Sequence, residues 1–288
     1  MSVKEATFTL LRPLFGALDA GQLRKLRTSG GEDGACFARV AGRLEKLEDD
    51  GSEDLQRIEA HRRTILGREG DPLVDGSLGE PRPWDVGFSV ADACRDSKKP
   101  RPALLLYWLI REFRPKRVLE IGTNVGISAA CISAALRANG DGGSLVTVDG
   151  SAYRQRIAKD TIETLGMSDL VTFEFGSFAD VLDDVLERHG PFDCAFIDGN
   201  HKLDPTLDYT NRLIDLAPAG PLLVYDDVRW SPGMKEAWRR LRDDERMQMA
   251  ADLYSMGVCR MERAPATQRV VTKPMLSVLY GPAPAVSA

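Results

Sequence analysis

A glycine-containing turn between an apolar strand and a helix constrains the fold of this chain more than any other feature. The segment RVLEIGTNVGIS covers residues 117–128, and its glycines, Gly122 and Gly126, follow a short apolar run. Glycine lets the backbone turn tightly and approach a ligand, and the following helix offers unpaired N–H groups. The G-x-x-x-G spacing differs from the G-x-G-x-x-G of NAD-binding enzymes and disfavours a dehydrogenase. The turn therefore predicts a nucleotide-like ligand on an α/β sheet.

Apolar runs alternate with amphipathic helical stretches from residue 91 onward. Further strands are predicted at 144–148, at 170–175, in PFDCAFID and in PLLVYDD, with helices of ten or so residues between them, the last of these over 207–216. This alternation predicts a doubly wound, mostly parallel sheet, in which ligands bind at the carboxyl ends of the strands. Beyond that region, MAADLYSMGVCRMER predicts two antiparallel strands, and LSVLY near 276–280 a short strand or extension.

The first ninety residues form a different kind of region. Apolar residues recur at helical spacing between residues 7 and 26, between 37 and 47, and after Ser52, which is a candidate N-cap. Residues 67–90 are rich in Gly and Pro and predict a loop, a linker or a lid carrying Trp84 and Phe88. We therefore predict a helical N-terminal region over 1–90 and a ligand-binding domain over 91–288. The amphipathic helices favour packing on the core or in a homodimer.

Composition narrows the class of protein. The net charge of −5 and the absence of a long basic run argue against a nucleic-acid surface. The five cysteines form no C-x-x-C pair, which disfavours a zinc site or a disulfide framework. The N-terminus carries no persuasive signal peptide, and no run of eighteen apolar residues occurs. We expect a cytoplasmic protein that does not act at a membrane.

Acidic residues follow the predicted strands. Asp149 lies about twenty residues beyond the last loop glycine, where a carboxylate can accept both hydroxyls of an adenosine ribose. Asp198 ends one later strand, and Asp226 with Asp227 ends the next. These three carboxylates repel one another unless something positive lies between them, and an oxygen-only set favours Mg²⁺, Mn²⁺ or Ca²⁺. The alternative is a solvated turn at Asp226 and a loop or capping role for Asp198.

The glycine turn VLEIGTNVGIS resembles the first motif of the class I S-adenosylmethionine-dependent methyltransferases. It is most similar to the small O-methyltransferases typified by the catechol and caffeoyl-CoA enzymes. The likeness continues through LVTVDG, FEFGSFADVL, FDCAFIDGNH and LLVYDDV, in family order and spacing, over roughly residues 91–262. The resemblance implies a Rossmann-like, seven-stranded sheet with one antiparallel strand. It also implies S-adenosylmethionine as cofactor and methyl transfer to a small hydroxylated molecule of secondary metabolism.

The loop pattern and the resemblance together give the predicted site. The cofactor-binding residues predicted are Glu120, Gly122, Thr123, Asn124, Gly126, Ser128, Asp149, Gly176, Ser177 and Asp198. The metal ligands that the resemblance implies, for a divalent ion such as Mg²⁺, are Asp198, Asp226 and Asp227. Asn200 is a weaker candidate for orienting the substrate, and Arg229 and Trp230 for a wall of the acceptor pocket.

His201 is the predicted catalytic base. It lies three residues after Asp198, where the catechol-type pattern usually has Lys, and an imidazole can accept a proton near neutral pH. Lys202 is the rival base. The sequence thus predicts an O-methyltransferase assisted by a divalent metal and a His base. Two alternatives stay open: a metal-independent O- or N-methyltransferase that uses His201, and a non-catalytic protein that binds an adenosine ligand as a scaffold.

Overall fold

The structure is a computed structural model, and it describes residues 19–46, 52–73, 87–217 and 220–280. Trp84, predicted to lie in a lid, is outside these described residues. The strands are β1 Arg117–Ile121, β2 Ser144–Asp149, β3 Val171–Phe175, β4 Cys194–Ile197, β5 Leu222–Tyr225, β6 Met247–Asp252, β7 Gly257–Met261 and β8 Val270–Val271. They form one sheet in the order β3-β2-β1-β4-β5-β7-β6-β8.

The predicted α/β fold is confirmed, with one addition. Strands β1 to β5 pair in parallel, and β7 runs antiparallel to both of its neighbours, β5 and β6. An eighth strand, the two-residue β8, pairs in parallel with β6, so the sheet has one strand more than predicted. The order reverses direction at β1, and such a switch point in an open sheet is where ligands bind.

Helices cover both faces of the sheet. Besides a helical stretch over 19–29 (α1), the helices are α2 Gly31–Lys46, α3 Glu53–Leu66, α4 Val90–Asp96, α5 Pro100–Phe113, α6 Ile127–Asn139, α7 Ala152–Thr164, α8 Phe178–His189, α9 Leu203–Leu216, α10 Pro232–Asp243 and α11 Ser277–Tyr280. One buried apolar cluster joins α2, α5 and α6 to the sheet, and the other joins α8, α9 and α10 to the opposite face. Strands β1, β2, β4 and β5 are apolar because both of their faces are covered, whereas the edge strand β3 has no fully buried residue.

The N-terminal helices pack on the sheet domain. Phe37, Val40 and Leu44 of α2 are buried in the same apolar cluster as α5. Arg39 and Arg43 donate to the Glu112 carboxylate of α5 at 2.8 and 2.7 Å. The predicted N-cap is present in α3, where the Leu55 N–H donates to the Ser52 hydroxyl. The division into domains at residue 90 stays a prediction.

The short helix α4 and the turn after it lead the chain to the carboxyl edge of the sheet. A capping box fixes its start, since Ser89 and Asp92 bond reciprocally, and Ser97 ends it by donating to the Cys94 carbonyl at 2.6 Å. Pro100 then occupies the first turn of α5, where a missing N–H costs no hydrogen bond. Two lysines, Lys98 and Lys99, lie in this connection.

Two local predictions differ from the structure. The helix expected over 207–216 begins at Leu203, because Pro205 lies in its first turn, where proline is tolerated. The strand or extension expected for LSVLY is wrong, since Ser277–Tyr280 is helical. A short apolar run fits either conformation, and here the Ser277 N–H donates to the Asp19 carboxylate at 2.6 Å.

Candidate functional site

The carboxyl ends of β1, β2, β4 and β5 lie level along one edge of the sheet. In the strand register Ile121 pairs with Val148 and with Ile197, and Ile197 pairs with Tyr225. The residues that follow these strands are therefore neighbours, although up to about a hundred positions separate them in the chain. This edge has two halves. The ends of β1 and β2 form one half, and the ends of β4 and β5 form the other.

The glycine loop after β1 lies close against the end of β4. Gly122 has a φ of 106°, and a Cβ added there would lie 2.4 Å from the carbonyl oxygen of Asp198. Gly126 has a φ of 84°, and a Cβ there would lie 3.0 Å from the Cα of Ala158. Both positions need glycine for conformation and for space. The loop backbone therefore stays close to the strand ends, and α6 begins immediately after the loop.

Asp149 ties this loop to the end of β2. One carboxylate oxygen accepts the Asn124 N–H and the other accepts the Ser151 N–H, each at 2.8 Å. Asn124, at a positive φ of 48°, also donates its side-chain amide to the Ala93 carbonyl at 2.9 Å. A carboxylate oxygen can accept more than one hydrogen bond. The geometry is compatible with the predicted ribose contact, which stays a prediction.

Glu120 is fully buried next to the loop. Its Oε2 accepts the Thr147 hydroxyl at 2.6 Å, and Thr147 also bonds the hydroxyl of Thr123 at 2.6 Å. Within the described part of the chain, its Oε1 has no hydrogen-bond partner. Burial raises the pKa of Glu120 to about 8, so the carboxyl is largely protonated at neutral pH. A buried polar atom without a partner beside the loop marks the place where a ligand's polar group can complete the site.

The predicted adenine contacts lie beside Asp149. The Gly176 N–H donates to the Asp149 carbonyl at 3.2 Å, and Ser177 precedes α8 and donates its hydroxyl to Asp180 at 2.7 Å. A Cβ at Gly176 would meet the Val181 side chain at 2.2 Å. Gly176 and Ser177 therefore lie on the same half of the edge as the glycine loop.

The other half of the edge carries the three aspartates, together with a lysine that the sequence did not single out. The Lys98 ammonium lies 3.1 Å from Asp198 Oδ2 and donates to Asp226 Oδ2. Its side chain is 10% exposed, and its nitrogen lies 5.9 Å from the centroid of the Phe196 ring. The positive group required between these carboxylates is thus a side chain of the protein itself.

His201 lies on the open side of the aspartates. Its Nε2 is 3.7 Å from Asp198 Oδ1 and 3.9 Å from Asp227 Oδ2, and the side chain is 29% exposed. Burial raises the pKa of Asp198 above its usual range, although Lys98 and His201 oppose that rise. The imidazole is therefore accessible and lies within ion-pair distance of two carboxylates.

The remaining predicted residues lie at the rim. Lys202 is exposed and precedes α9, and among the described residues it forms no ion pair with the aspartates. Asn200, at a φ of 61°, donates its amide to the Tyr209 hydroxyl at 3.2 Å. Trp230 is 75% exposed. The sequence analysis missed Lys98. Nothing in its local sequence, SKKP at residues 97–100, links this lysine to the aspartates at the strand ends a hundred or more residues later.

The predicted metal set does not fit a divalent ion as arranged. In residues 19–46, 52–73, 87–217 and 220–280, no three His, Cys, Asp or Glu side chains form a group able to hold a metal. The Oδ2 atoms of Asp198 and Asp226 both face Lys98, and Asp227 turns away at a φ of 52° towards His201. A cation placed between the two carboxylates would meet the ammonium.

A second carboxylate network fixes the loop that follows the aspartates. Asp252, at the end of β6, accepts two bonds from Arg229, at 2.8 and 2.7 Å, and one from the Trp238 indole at 2.9 Å. Arg242 and the Tyr254 N–H add bonds at 3.1 and 3.0 Å. Arg229 lies two positions after Asp227, so this network anchors the loop beside the site.

Comparison with known proteins places the chain in a family. A model described as a methyltransferase domain matches residues 119–228. Caffeoyl-CoA O-methyltransferase from Petroselinum crispum is 30% identical over 190 residues, which cover 63% of this chain and 73% of the relative. Caffeoyl-CoA O-methyltransferase 2 from Petunia hybrida is 28% identical over 172 residues, 58% of this chain. The chain spans 65% of the length of the latter, slightly less than two thirds.

Solved structures share the fold. The O-methyltransferase from Bacillus cereus in complex with SAH matches 78% of this chain and 97% of its own, with a TM-score of 0.55 and 18% identity. A SAH-bound methyltransferase from Podospora anserina gives the same TM-score and identity over 78% of this chain and 94% of its own. Among the described residues, no helix is long and apolar enough to cross a bilayer.

Proposed function

Because the chain belongs to the class I S-adenosylmethionine-dependent methyltransferases of the caffeoyl-CoA type, we propose that it transfers a methyl group from S-adenosylmethionine to a hydroxyl of a small molecule. The observation that carries the proposal is the shared edge of the sheet. In the described part of the chain, the glycine loop, Asp149 and a Glu120 oxygen without a hydrogen-bond partner lie beside an accessible imidazole with two carboxylates. One half suits a charged adenosine ligand and the other suits a hydroxyl that must lose its proton.

The residues of the first half fit the cofactor. Asp149 lies at the end of β2, where its carboxylate can meet ribose hydroxyls, and the Glu120 oxygen that has no partner among the described residues can accept from an ammonium group. The remaining predicted contacts are backbone and side-chain groups of the loop and of the β3 end, namely Gly122, Thr123, Asn124, Gly126, Ser128, Gly176 and Ser177. S-Adenosylmethionine supplies an electrophilic methyl group on a sulfonium, whose leaving group is a neutral thioether.

His201 is the proposed base on the acceptor side. Its Nε2 takes the proton of the acceptor hydroxyl, and the carboxylates of Asp198 and Asp227 stabilise the imidazolium that forms. No acid is needed for the leaving group, because a thioether departs without a proton. The protein's remaining task is to hold the nucleophile in line, and Lys202, at the exposed start of α9, is less suited to the base role.

The metal-independent form of the reaction is the one we propose. The resemblance implies Mg²⁺ on Asp198, Asp226 and Asp227, yet the Oδ2 atoms of the first two face the Lys98 ammonium. That contact supports a proton transfer that involves His201 and no bound ion. The homodimer, the cytoplasmic location and a role in secondary metabolism stay predictions.

The experiment that tests the function measures product formation and binding together. Purified protein and S-adenosylmethionine are incubated with a panel of catechols, phenols and sugars, with and without EDTA, and S-adenosylhomocysteine is quantified. We expect turnover of at least one hydroxylated acceptor in both conditions, and calorimetric binding of S-adenosylmethionine without binding of NAD. Binding without turnover over the whole panel would favour the scaffold alternative, and binding of NAD alone would end the proposal.

A matched pair of histidine variants tests the base. His201→Ala is expected to lower kcat by about 10²- to 10⁴-fold, the usual contribution of a positioned base. His189→Ala is the control, because His189 bonds Glu174 at 2.7 Å and lies outside the aspartate cluster. Equal activity of the two variants would exclude His201 as the base.

A further inference from the structure

The Lys98 ammonium occupies the point where the two acidic strand ends converge. Asp198 comes from the end of β4 and Asp226 from the end of β5, and both direct an Oδ2 atom at the same nitrogen. Two carboxylates this close carry a repulsion that one cation between them removes. Lys98 performs this neutralisation, while His201 faces other oxygens of the cluster.

The position of Lys98 is built into the fold. The turn that carries it is held on one side by the Ser97 bond to the Cys94 carbonyl and on the other by Pro100 in the first turn of α5. The Phe196 ring flanks the ammonium, and only a tenth of the side chain is exposed. Its neighbour Lys99 is exposed and donates to the Arg95 carbonyl instead. Of two adjacent lysines, one is therefore enclosed by acids and the other is a surface residue.

We propose that Lys98 is the resident cation of this site and stands in place of a divalent ion. In consequence, the protein takes no divalent cation between Asp198 and Asp226, and removal of the Lys98 side chain converts this pair into a divalent-cation site. The inference rests on the proposed methyl transfer for its purpose, since it identifies Lys98 as a positioning residue for the acceptor. Its test is a binding measurement that needs no acceptor.

The number of N–H groups on the Lys98 ammonium bears on how the acceptor is held. A lysine has three N–H groups, and two of them suffice for the two Oδ2 atoms. Among the described residues this leaves one donor for an oxygen of the acceptor beside His201. A divalent ion could instead hold two oxygens of one acceptor at once. The Lys98 arrangement therefore requires only one anchoring oxygen and suits acceptors with a single hydroxyl as well as vicinal diols.

The test titrates metal-free full-length protein with Mn²⁺ alone and follows free Mn²⁺ by electron paramagnetic resonance. Wild type is expected to show no site that depends on Asp226, and Lys98→Ala one site per chain. Because a positive charge within a few ångströms strongly repels a divalent ion, the gain in affinity should be at least about tenfold. In Lys98→Ala combined with Asp226→Asn the new site should be lost.

Lys99→Ala is the matched control. It removes the same charge one residue away without touching the aspartates, so its Mn²⁺ titration should match wild type. A second readout is turnover, where an acceptor has been found. Wild-type turnover should be unchanged by EDTA, and Lys98→Ala should lose turnover and regain part of it when Mn²⁺ is added. A merely structural lysine would not be replaced by a metal ion.

Two results would overturn the inference. One is Mn²⁺ binding by wild type that disappears in Asp226→Asn, a comparison that stands even if Lys98→Ala does not fold. The other is a folded Lys98→Ala protein that gains no site. Failure of the proposed function is a separate result, since absence of methyl transfer to every acceptor leaves the Mn²⁺ titrations as they are.

Discussion

Two buried aspartates near the last strands of the sheet are neutralised in different ways. Asp252 is fully enclosed and accepts bonds from two arginines, a tryptophan indole and a backbone N–H. Among the described residues, Asp226 pairs with one cation, the Lys98 ammonium, and the next residue, Asp227, is 37% exposed and lies 3.9 Å from the His201 imidazole. An arginine fork fixes a carboxylate from several directions, whereas a lysine is a point charge on a flexible stem. A saturated carboxylate stabilises the fold, and one with a single cation and open neighbours can take part in chemistry.

Glu120 adds a third arrangement on the same edge. It is as buried as Asp252 but contacts no cation, and one of its oxygens has no partner among the described residues. Its raised pKa shows how the protein copes without a counter-charge, because the carboxyl keeps its proton. Three buried acids on this edge are thus neutralised in three ways: Asp252 by arginines, Asp226 by one lysine beside solvent-accessible neighbours, and Glu120 by a proton.

The largest effect is expected for the Asp252 network, in which two arginines and an indole bond one buried carboxylate. Asp252→Asn leaves the charges of Arg229 and Arg242 without their buried partner and should lower the free energy of unfolding by about 3–5 kcal/mol. Urea denaturation measures this change. Asp243→Asn, an exposed i+4 partner of Arg239 on α10, should change stability by less than about 1 kcal/mol. Equal stability of Asp252→Asn and wild type would mean that the Asp252 network does not stabilise the fold more than the Asp226 cluster does.

The proton on Glu120 makes stability depend on pH. Its pKa rises from 4.5 in the unfolded chain to about 8 on folding, so folding takes up a proton between those values. Below pH 4.5 both states are protonated, and stability should fall as the pH rises from there to about 8, by about 3 kcal/mol at pH 7. Glu120→Gln should abolish this slope in urea titrations of ligand-free protein. An unchanged slope would mean that Glu120 is not the group responsible.

The cluster of Asp198, Asp226 and Lys98 should tolerate substitution better than the Asp252 network. Asp226→Asn leaves Lys98 paired with Asp198, and an amide oxygen can still accept, so the loss of stability should be about 1 kcal/mol. Turnover should fall by about 10²-fold, because the cation is no longer held between two strands and the acceptor shifts with it. A loss of stability as large as that of Asp252→Asn would mark both clusters as structural.

The smallest effect is expected at the rim. Trp230, exposed by 75%, follows the anchored Arg229, and Trp230→Ala should change the free energy of unfolding by less than about 0.5 kcal/mol. If Trp230 forms a wall of the acceptor pocket, the KM of the acceptor should rise while the affinity for S-adenosylmethionine stays constant. Trp238→Ala is the contrasting variant, since this buried indole donates to Asp252 and its loss should destabilise the fold.

The sequence was most informative where local pattern and packing agree. The runs that became β1, β2, β4 and β5 are apolar because helices cover both faces, and their order along the chain identifies the parallel part of the sheet. It was least informative where a short run is packed by distant residues. Ser277–Tyr280 is an example, since its helix begins at a bond to Asp19.

The sequence by itself determined the glycine loop, the acids at the strand ends and the family to which the chain belongs, because each lies in a contiguous motif. Only the tertiary structure decided what neutralises those acids. Lys98 precedes Asp198 by a hundred residues, and no spacing rule connects a lysine in a turn between two helices with carboxylates at the ends of two strands. The same holds for Asp252 and Arg229. Charges are paired by where the folded chain brings them, and that arrangement favours the metal-independent form of the predicted reaction.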